Sequence, residues 1–477
     1  MKTKQALQSL ILSMALSAGC TPTRVEEKPD SVSAPRDWLN APDNLTVSGP
    51  VDLKAWWQGF QDPVLNAMIA QALSQNHDIR IALARIREAK AIDVIAESAL
   101  YPSLGLFTAT GGGRRIDQIV GVPGNQGIAL MSPTIETVSG GLAAHWELDL
   151  FGARHLEMEA AAAQAAGGEE ALHAAQVALL AQLATDYLQL RGINQRIGLL
   201  AENINLQRER LKVLQAFMPA GKTNGWDIAR QKTLLHSTEA ALPALKTTAA
   251  SLSNRLAVLL GQAPEQADGL WLQSGPMPQD LPTLPRLIPA SLLEQRPDLR
   301  LARTQVKAMA ASLGAARADI YPKLVLSTNA GFGALAASGF PSLAESIYNL
   351  GTGLTLPLFN AGRIQARIAA SDSRLEQVAL NYEKTLLLAL EDVENAYTGY
   401  SSAMEYAKSL SQAETGAEKT CEFADALYRS GAQDYLAVLD ARRHRLLVKD
   451  ELAKANTVTR VALVSLYRAF GGGWGVE

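Results

Sequence analysis

Residues 78–104 read DIRIALARIREAKAIDVIAESALYPSL, and residues 298–324 read DLRLARTQVKAMAASLGAARADIYPKL. Each segment opens with an aspartate and an arginine two places apart and closes near a Tyr-Pro pair, with an offset of 220 positions between the two. Later landmarks recur in the same order at slightly shorter offsets, as Gly221 and Gly431 do. Such self-similarity indicates a duplicated unit. We therefore predict an internal structural repeat rather than several unrelated domains.

Each repeat is predicted to contain the same series of elements. Apolar residues recur at helical spacing through the quoted segments, and the proline of each Tyr-Pro pair disfavours helix in the residue before it. Two extended runs follow in each repeat, separated by a glycine-rich loop. The predicted strands are 104–110, 138–150, 324–330 and 348–358, and the predicted loops are 111–137 and 333–346.

Two much longer segments, 153–217 and 361–429, contain no proline and few glycines. Alanine, leucine, glutamine, glutamate and arginine dominate them, and these residues are good helix formers. A helix of ~65 residues is ~100 Å long at ~1.5 Å per residue, so such helices must pack along one another as coiled coils. Shorter helices are predicted to return at 227–260 and 434–470.

The composition excludes several classes of protein. The 477 residues carry 44 Lys+Arg against 47 Asp+Glu, a net charge of −3, which offers no basic surface for nucleic acid. The hydrophobic fraction of 48% supplies a core but falls short of a bundle of membrane helices. The six histidines show no His-Glu-x-x-His spacing or other paired ligand spacing. We expect no catalytic site, no metal site and no cofactor other than a covalent lipid.

The first residues are typical of a secretory signal. Lys2 and Lys4 precede a mostly apolar stretch, and small residues lead into Cys20. Small residues before a cysteine resemble a bacterial lipobox, whose cysteine is lipidated; the alternative is an ordinary cleaved signal with a chance cysteine. By resemblance to the sorting rule of Gram-negative lipoproteins, Thr21 implies the outer membrane. We predict a lipid anchor on Cys20 that holds the chain at the outer membrane, with the rest of it extending into the periplasm.

These features predict an order of segments along the chain. They are a lipoprotein signal peptide (1–19), an extended segment after the lipidated cysteine (20–60), the first repeat (61–261), a proline-rich linker (262–297), the second repeat (298–471) and a short tail (472–477).

Four strands per chain cannot close a membrane barrel, and open strand edges in lipid leave backbone groups unpaired. The chain must therefore stay out of the membrane or combine strands with copies of itself. Three copies give twelve strands, within the range of ~8 to 26 known for bacterial barrels. Aromatic residues near the predicted strand ends resemble the girdles of outer-membrane barrels, although they also suit corners between helices and strands: Tyr101, Trp146, Phe151, Tyr321, Tyr348 and Phe359.

Motifs that run in order from about residue 50 to 475 resemble the TolC/OprM-type outer membrane factors, and in particular their NodT/OprM-like lipoprotein branch. These motifs include Trp56-Trp57-x-x-Phe60-x-Asp62-Pro63, Trp146-Glu147-Leu148-Asp149-Leu150-Phe151-Gly152, Pro357-Leu358-Phe359-Asn360-Ala361-Gly362-Arg363 and Tyr428-Arg429-Ser430-Gly431-Ala432-Gln433-Asp434-Tyr435-Leu436. The resemblance implies a mainly α fold with a small β part. It implies a homotrimer whose twelve-stranded outer-membrane β-barrel, with four strands per chain, continues as a long coiled-coil α-helical barrel through the periplasm.

The resemblance also implies a function and partners. Members of this family are the exit ducts of tripartite efflux pumps, joined by a periplasmic adaptor to an inner-membrane transporter, usually of the RND class. The lipobox and the OprM-like motifs favour small molecules such as drugs or other toxic compounds as cargo. Two alternatives are an outer-membrane duct for type I protein secretion and a periplasmic coiled-coil lipoprotein that acts as a scaffold.

A duct needs residues that control its opening. Leu436 and Asp440 lie four positions apart, so they share one helix face, which Arg443 continues. The family motif places this face at the narrow periplasmic end. In a trimer the leucines would form an apolar constriction and the carboxylates a ring that attracts cations. Arg442 or Arg443, of the same chain or of a neighbouring one, is expected to hold Asp440 in the closed state; the alternative is an ordinary heptad leucine beside a solvated aspartate.

The turns that end the two long hairpins are predicted to contact the adaptor, because they lie farthest from the strands. Gly221 and Asn224 belong to the first turn, and Gly431 and Asp434 to the second. In the first turn, Phe217–Ala220 stand where the family usually has arginines.

Overall fold

The computed structural model describes residues 35, 37–40, 53–114, 134–266, 277–278, 280–282, 284, 295–337 and 343–475. The predictions of a signal peptide at 1–19 and of lipidation at Cys20, together with much of the predicted linker at 262–297, lie outside these residues. The proposed segment boundaries therefore stay predictions.

The described chain is mostly helical, with one small sheet. Its α-helices are α1 (Pro63–Gln75), α2 (His77–Ser98), α3 (Ala153–Phe217), α4 (Gly225–Leu259), α5 (Pro297–Ala318), α6 (Arg363–Arg429) and α7 (Tyr435–Ala469). Its strands are β1 (Ser103–Arg114), β2 (Thr134–Leu148), β3 (Lys323–Ala337) and β4 (Leu343–Thr355). The predicted fold class, mainly α with four strands and an internal repeat, is confirmed.

The long helices begin and end close to the predicted positions. Helix α3 has the predicted bounds, whereas α6 starts at Arg363 and not at residue 361. Ala361 and Gly362 have φ angles of 50° and 81°, which lie in the left-handed region, so the right-handed helix cannot include them.

The strands are longer than predicted, and the glycine-rich loops are correspondingly shorter. Residues 111–114 belong to β1, 333–337 belong to β3, and β4 begins at Leu343. The error has a physical cause: glycine is unfavourable in an isolated strand, but here it is held by pairing to neighbouring strands. Gly112, for example, lies opposite Glu136, and Gly333 lies opposite both Ser139 and Glu345.

The prediction of an extended segment up to residue 60 is wrong at its end. Trp56–Phe60 form a short 3-10 helix whose aromatic side chains are buried, and Trp56 stacks on Tyr467 with ring centroids 5.1 Å apart.

Helix α1 follows this short helix, and the sequence contains a clear signal for where it starts. Asp62 accepts hydrogen bonds from the amides of Val64 and Leu65, and Pro63 occupies the first helical position.

The chain divides into two compact units, and each takes segments from both repeats. The described residues of Arg87–Ala166 and Thr304–Leu380 form the first unit. Its sheet is antiparallel in the order β1-β2-β3-β4, and a small cluster of Leu156, Ala160, Ala311 and Ala315 packs its helices.

The second unit contains Asp30–Ile86, Gly167–Arg303 and Asn381–Glu477, and it holds the main apolar core. A buried polar network crosses this core. The Tyr187 hydroxyl donates to Asp62 Oδ2 at 2.6 Å, and Arg191 Nε donates to the Tyr187 hydroxyl oxygen at 2.8 Å. Burial, followed by the hydrogen bond to Asp62, raises the pKa of Tyr187 well above its ordinary value, so this hydroxyl remains a donor.

Candidate functional site

The pairing register of the sheet separates its side chains into two chemically different faces. Residues opposite one another in an antiparallel pair share a face, and side chains alternate along each strand. All even-numbered residues of the four strands therefore lie on one side. That side exposes large apolar residues: Leu104, Leu106, Val138, Leu142, Phe332, Tyr348, Leu350 and Leu354. Leu106 and Tyr348 are each 80% exposed. An exposed apolar surface this extensive marks contact with a membrane or a partner.

The opposite face carries glycines and small polar residues. It includes Gly105, Thr137, Ser139, Gly141, Ser327, Asn329, Gly331, Gly333, Asn349, Gly351 and Gly353. Phe107, Val325 and Ile347 are large apolar exceptions. A face of this composition suits contact with water and leaves little side-chain bulk above the sheet.

The two outer strands of the sheet keep one free edge each. Within the described residues, β1 pairs with β2 alone and β4 pairs with β3 alone. Each free edge presents backbone donors and acceptors that a further strand can bind.

The predicted aromatic residues are not equivalent. Tyr101, Trp146, Phe151, Tyr321 and Phe359 all lie at the end of the sheet where helices join the strands. Tyr348 does not, because it lies within β4 opposite Ala330, so its prediction as a strand-end residue is wrong.

Three of these aromatic residues take part in corner contacts. Phe151 stacks on Tyr321 with centroids 4.7 Å apart. Trp146 Nε1 donates to the Leu100 carbonyl at 2.9 Å. For Trp146, Phe151 and Tyr321, these contacts favour the alternative role, in which aromatic side chains fill the corners between helices and strands. Phe359, which is 89% exposed, remains available as an interfacial side chain.

The two hairpin turns use the same local chemistry. Gly221 and Gly431 have φ angles of 68° and 77°, a region that glycine adopts without strain. In each turn a polar side chain then caps the returning helix. Asn224 accepts from the amide of Asp227 at 3.0 Å, and Asp434 accepts from the amide of Ala437 at 2.9 Å. The four predicted turn residues are thus the residues that stop one helix and start the next.

The predicted gate residues lie in the first turns of α7, where α7 is joined to α3. Arg210 Nη1 donates to Asp440 Oδ1 at 2.8 Å, and Arg443 Nη2 lies 3.4 Å from the same oxygen. One turn earlier, the Tyr435 hydroxyl donates to Glu209 Oε1 at 2.6 Å. Two adjacent residues of α3, Glu209 and Arg210, therefore each bind a residue of α7, Tyr435 and Asp440 respectively.

Of the two arginines expected to hold Asp440, only Arg443 contacts it. Arg442 pairs instead with Asp425 of α6 at 3.1 Å. Leu436 is half-buried. Arg210 was missed by the sequence reasoning because it lies 230 positions from Asp440, and no local spacing connects the two residues.

The surroundings of Asp440 favour its ionised form. Burial by itself raises the pKa of this carboxyl, but the hydrogen bond from Arg210 and the charges of Arg210 and Arg443 outweigh burial and lower the pKa below its ordinary value. The carboxylate is therefore charged at neutral pH and is held by two cations.

A family model of outer membrane efflux proteins matches this chain twice, over residues 68–262 and 288–472. The chain belongs to the outer membrane efflux protein family. The two matches also agree with the internal repeat.

Individual members of the family align over almost their whole length. The pyoverdine export outer membrane protein OpmQ of Pseudomonas aeruginosa is 30% identical over 473 residues, covering 98% of this chain and 96% of OpmQ. The probable outer membrane lipoprotein SilC of Salmonella typhimurium is 25% identical over 466 residues, covering 97% and 98% of the two chains. Among solved structures, the outer-membrane channel OprN superposes with a TM-score of 0.81 at 31% identity, covering 94% of this chain and 99% of OprN.

This efflux protein is the outer-membrane exit duct of a tripartite pump. The prediction of a channel is confirmed, and the alternative of a coiled-coil scaffold is wrong. The family and the fold are those of channel proteins rather than enzymes.

No group of three or more His, Cys, Asp or Glu side chains in the described part of the chain is arranged to hold a metal ion. None of the helices described is long and apolar enough to cross a membrane.

The lowered pKa of Asp440 predicts how the contact between α3 and α7 responds to acid. A carboxyl whose pKa is depressed in the folded state contributes stability above its ordinary pKa of ~3.9, and this contribution is lost as the pH falls through the lowered value. We therefore expect the contact to persist from pH 7 to pH 5. The measurement is the conductance of the reconstituted protein across this range. A rise in conductance centred between pH 5 and 7 would contradict the assignment.

Proposed function

We propose that three copies of this efflux protein combine their sheets into one twelve-stranded barrel. The observation that carries the proposal is a four-stranded sheet with an exposed apolar face and a free edge on each side. A barrel in lipid must pair all of its strand edges, and pairing β4 of one copy with β1 of the next achieves this. Three copies supply the twelve strands that the resemblance in sequence implies, so we propose a homotrimer.

In this assembly the even-numbered face contacts lipid and the odd-numbered face lines the lumen. Alternation of apolar and polar residues is the pattern expected of barrel strands. The glycines of the odd-numbered face leave the lumen wide, so the barrel itself discriminates little between cargo molecules. Selection must then act at the other end of the duct.

The proposed closed gate is the level of Leu436 and Asp440. Three copies of Leu436 narrow the duct, while Arg210 and Arg443 hold Asp440, and Glu209 holds Tyr435. These contacts link the start of α7 to α3. Opening requires this part of α7 to move away from α3, which breaks both contacts in each chain.

The proposed partners are a periplasmic adaptor and an inner-membrane transporter of the RND class, which the resemblance in sequence implies. We assign the adaptor contact to the hairpin turns around Gly221 and Asn224 and around Gly431 and Asp434, because these turns are exposed ends of long helical hairpins. The proposed cargo is a small molecule. The name of OpmQ, a pyoverdine exporter, supports cargo of this size.

The proposed lipid anchor is Cys20, at the outer membrane of a Gram-negative bacterium. The description of SilC as a probable lipoprotein supports it. Mass spectrometry of the mature N-terminus tests the anchor: an unmodified cysteine, or cleavage elsewhere, would refute it.

Reconstitution tests the assembly. We expect the purified protein to migrate as a heat-resistant trimer in detergent gels and to form ion-conducting pores in planar bilayers. A monomer that leaves the membrane without detergent once its lipid is removed, or a trimer without conductance, would refute the proposal.

A further inference from the structure

Near the two turns, the four long helices of one chain lie side by side in the order α4-α3-α7-α6. An ion pair joins each pair of neighbours: Arg208–Glu239 between α4 and α3, Arg210–Asp440 between α3 and α7, and Arg442–Asp425 between α7 and α6. Helices α4 and α6 are therefore the outer members of the row, and each has a face turned away from its neighbour.

The outward face of α4 carries an aromatic residue and a cation. Gln231 and Leu235 are buried on the side of α4 that meets α3. With ~3.6 residues per turn, Trp226 and Arg230 lie on the opposite side, four positions apart. Trp226 is 66% exposed, and the Arg230 guanidinium lies over its ring at 5.6 Å from the centroid.

The outward face of α6 carries a matching apolar pair. Ala417 and Cys421 are buried on the side that meets α7. Phe423 and Leu427 lie on the opposite side, also four positions apart, and they are 68% and 44% exposed. Large apolar side chains this exposed at the end of a helical hairpin mark a surface that a partner covers.

The two pairs lie at matching heights above the turns. Arg210 is eleven positions from Gly221 along α3, and it binds Asp440. Asp440 is nine positions from Gly431 along α7, so the two turns lie at nearly the same level.

Helix α4 leads away from its turn and α6 leads into its own, so the two helices run antiparallel. Trp226 lies five positions after the first turn glycine, and Leu427 lies four positions before the second. Arg230 and Phe423 lie nine and eight positions from the same two glycines. An antiparallel pairing of α4 with α6 therefore sets Trp226 beside Leu427 and Arg230 beside Phe423.

We infer that a second copy of this chain covers these faces, with Trp226 and Arg230 of one copy packed on Leu427 and Phe423 of the next. The inference rests on the proposed homotrimer. A ring of copies related by rotation joins one surface of each copy to a different surface of the next, and the outer helices of the row supply those two surfaces. Tryptophan and arginine are the residues that most often dominate such contacts.

The periplasmic end is then held by two kinds of contact. Within each copy, α3 binds α7 through polar side chains, including Arg210 and Asp440. Between copies, the contact is apolar, with the Arg230 cation placed against aromatic rings.

Disulfide cross-linking tests the pairing in the full-length protein. Cys421→Ala removes the native thiol of α6, and Trp226→Cys and Leu427→Cys are added together. After oxidation, we expect most chains to run as covalent dimers and trimers on denaturing gels, and to return to monomers with a reducing agent.

Two controls define the position of the contact. Trp226→Cys with Tyr406→Cys uses another exposed residue of α6, which lies ~30 Å from Leu427 along the helix at ~1.5 Å per residue. This pair should remain monomeric on the same gels. The Cys421→Ala background without introduced cysteines accounts for any reaction of Cys20. All variants are first examined for a heat-resistant trimer without oxidant.

The outcomes separate this contact from the proposed function. A trimer in which the 226–427 pair does not cross-link, or cross-links no better than the 226–406 pair, would overturn the contact while the trimer stands. A bond confined to the monomer band would place α4 against α6 of the same chain and would also overturn it. If a water-soluble maleimide fully labels Trp226→Cys in the trimer, this face is open to solvent and so to the adaptor, which again contradicts the inference. Absence of a trimer in every variant and in the wild type would overturn the proposed assembly itself.

Discussion

Gly141→Ala is expected to disrupt the pairing of β2 with β3. A Cβ atom at Gly141 would lie 2.3 Å from the carbonyl oxygen of Ala330 and 2.4 Å from Cα of Gly331. Both atoms belong to the backbone of β3, which is held in register by pairing on both sides. The neighbour therefore cannot yield as a flexible side chain would, and the strands must separate locally.

The expected cost is at or above the upper end of the ~1–3 kcal/mol typical of overpacking. In an assembly of three chains the strain occurs three times. We expect the heat-resistant trimer to be lost or to melt at a much lower temperature. The measurement is the fraction of trimer that survives heating in detergent, read from gels.

Gly105→Ala and Gly353→Ala are the controls. Both glycines lie on the same face of the sheet as Gly141, and a Cβ at either position meets no atom within 4 Å. The same substitution there adds the same methyl group without the clash. Equal loss of trimer in all three variants would show that close packing of β2 on β3 is not the cause.

Asp440→Ala is expected to open the periplasmic end. It removes the group that receives both Arg210 and Arg443, and so it breaks a link between α3 and α7 in each chain. Asp440 is largely exposed, so each link contributes only about 0.2–1 kcal/mol. Three links sum to at most ~3 kcal/mol, which is roughly a hundredfold in the ratio of open to closed channels.

Single-channel conductance and open probability in planar bilayers measure this effect. Arg210→Ala should reproduce much of it, because it removes the other end of the shorter contact. Asp425→Ala is the matched control, since Asp425 binds Arg442 and so joins α6, rather than α3, to α7. Conductance that is unchanged in Asp440→Ala, or raised equally in Asp425→Ala, would count against the gate.

The candidate site was only partly predictable from the sequence. Asp440 and Arg443 share a helix face, and a spacing of three or four residues reveals such a pair without any tertiary information. Arg210 has no such relation to them. Its position opposite Asp440 depends on how two helices of 65 and 35 residues pack along one another, and a shift of one residue in that packing would present a different side chain.

The sequence by itself determined the duplication, the long helices and the turns between them. Those features depend on local signals: the absence of proline over 65 residues, a glycine where the backbone is left-handed, and an Asn or Asp that caps the next helix. Only the tertiary structure decided the extent of the strands, the apolar and small-residue faces of the sheet and the partners of Asp440. These properties depend on pairing between residues far apart in the chain, because glycine-rich strands have little preference of their own and a charged residue is defined by the charges that packing places beside it.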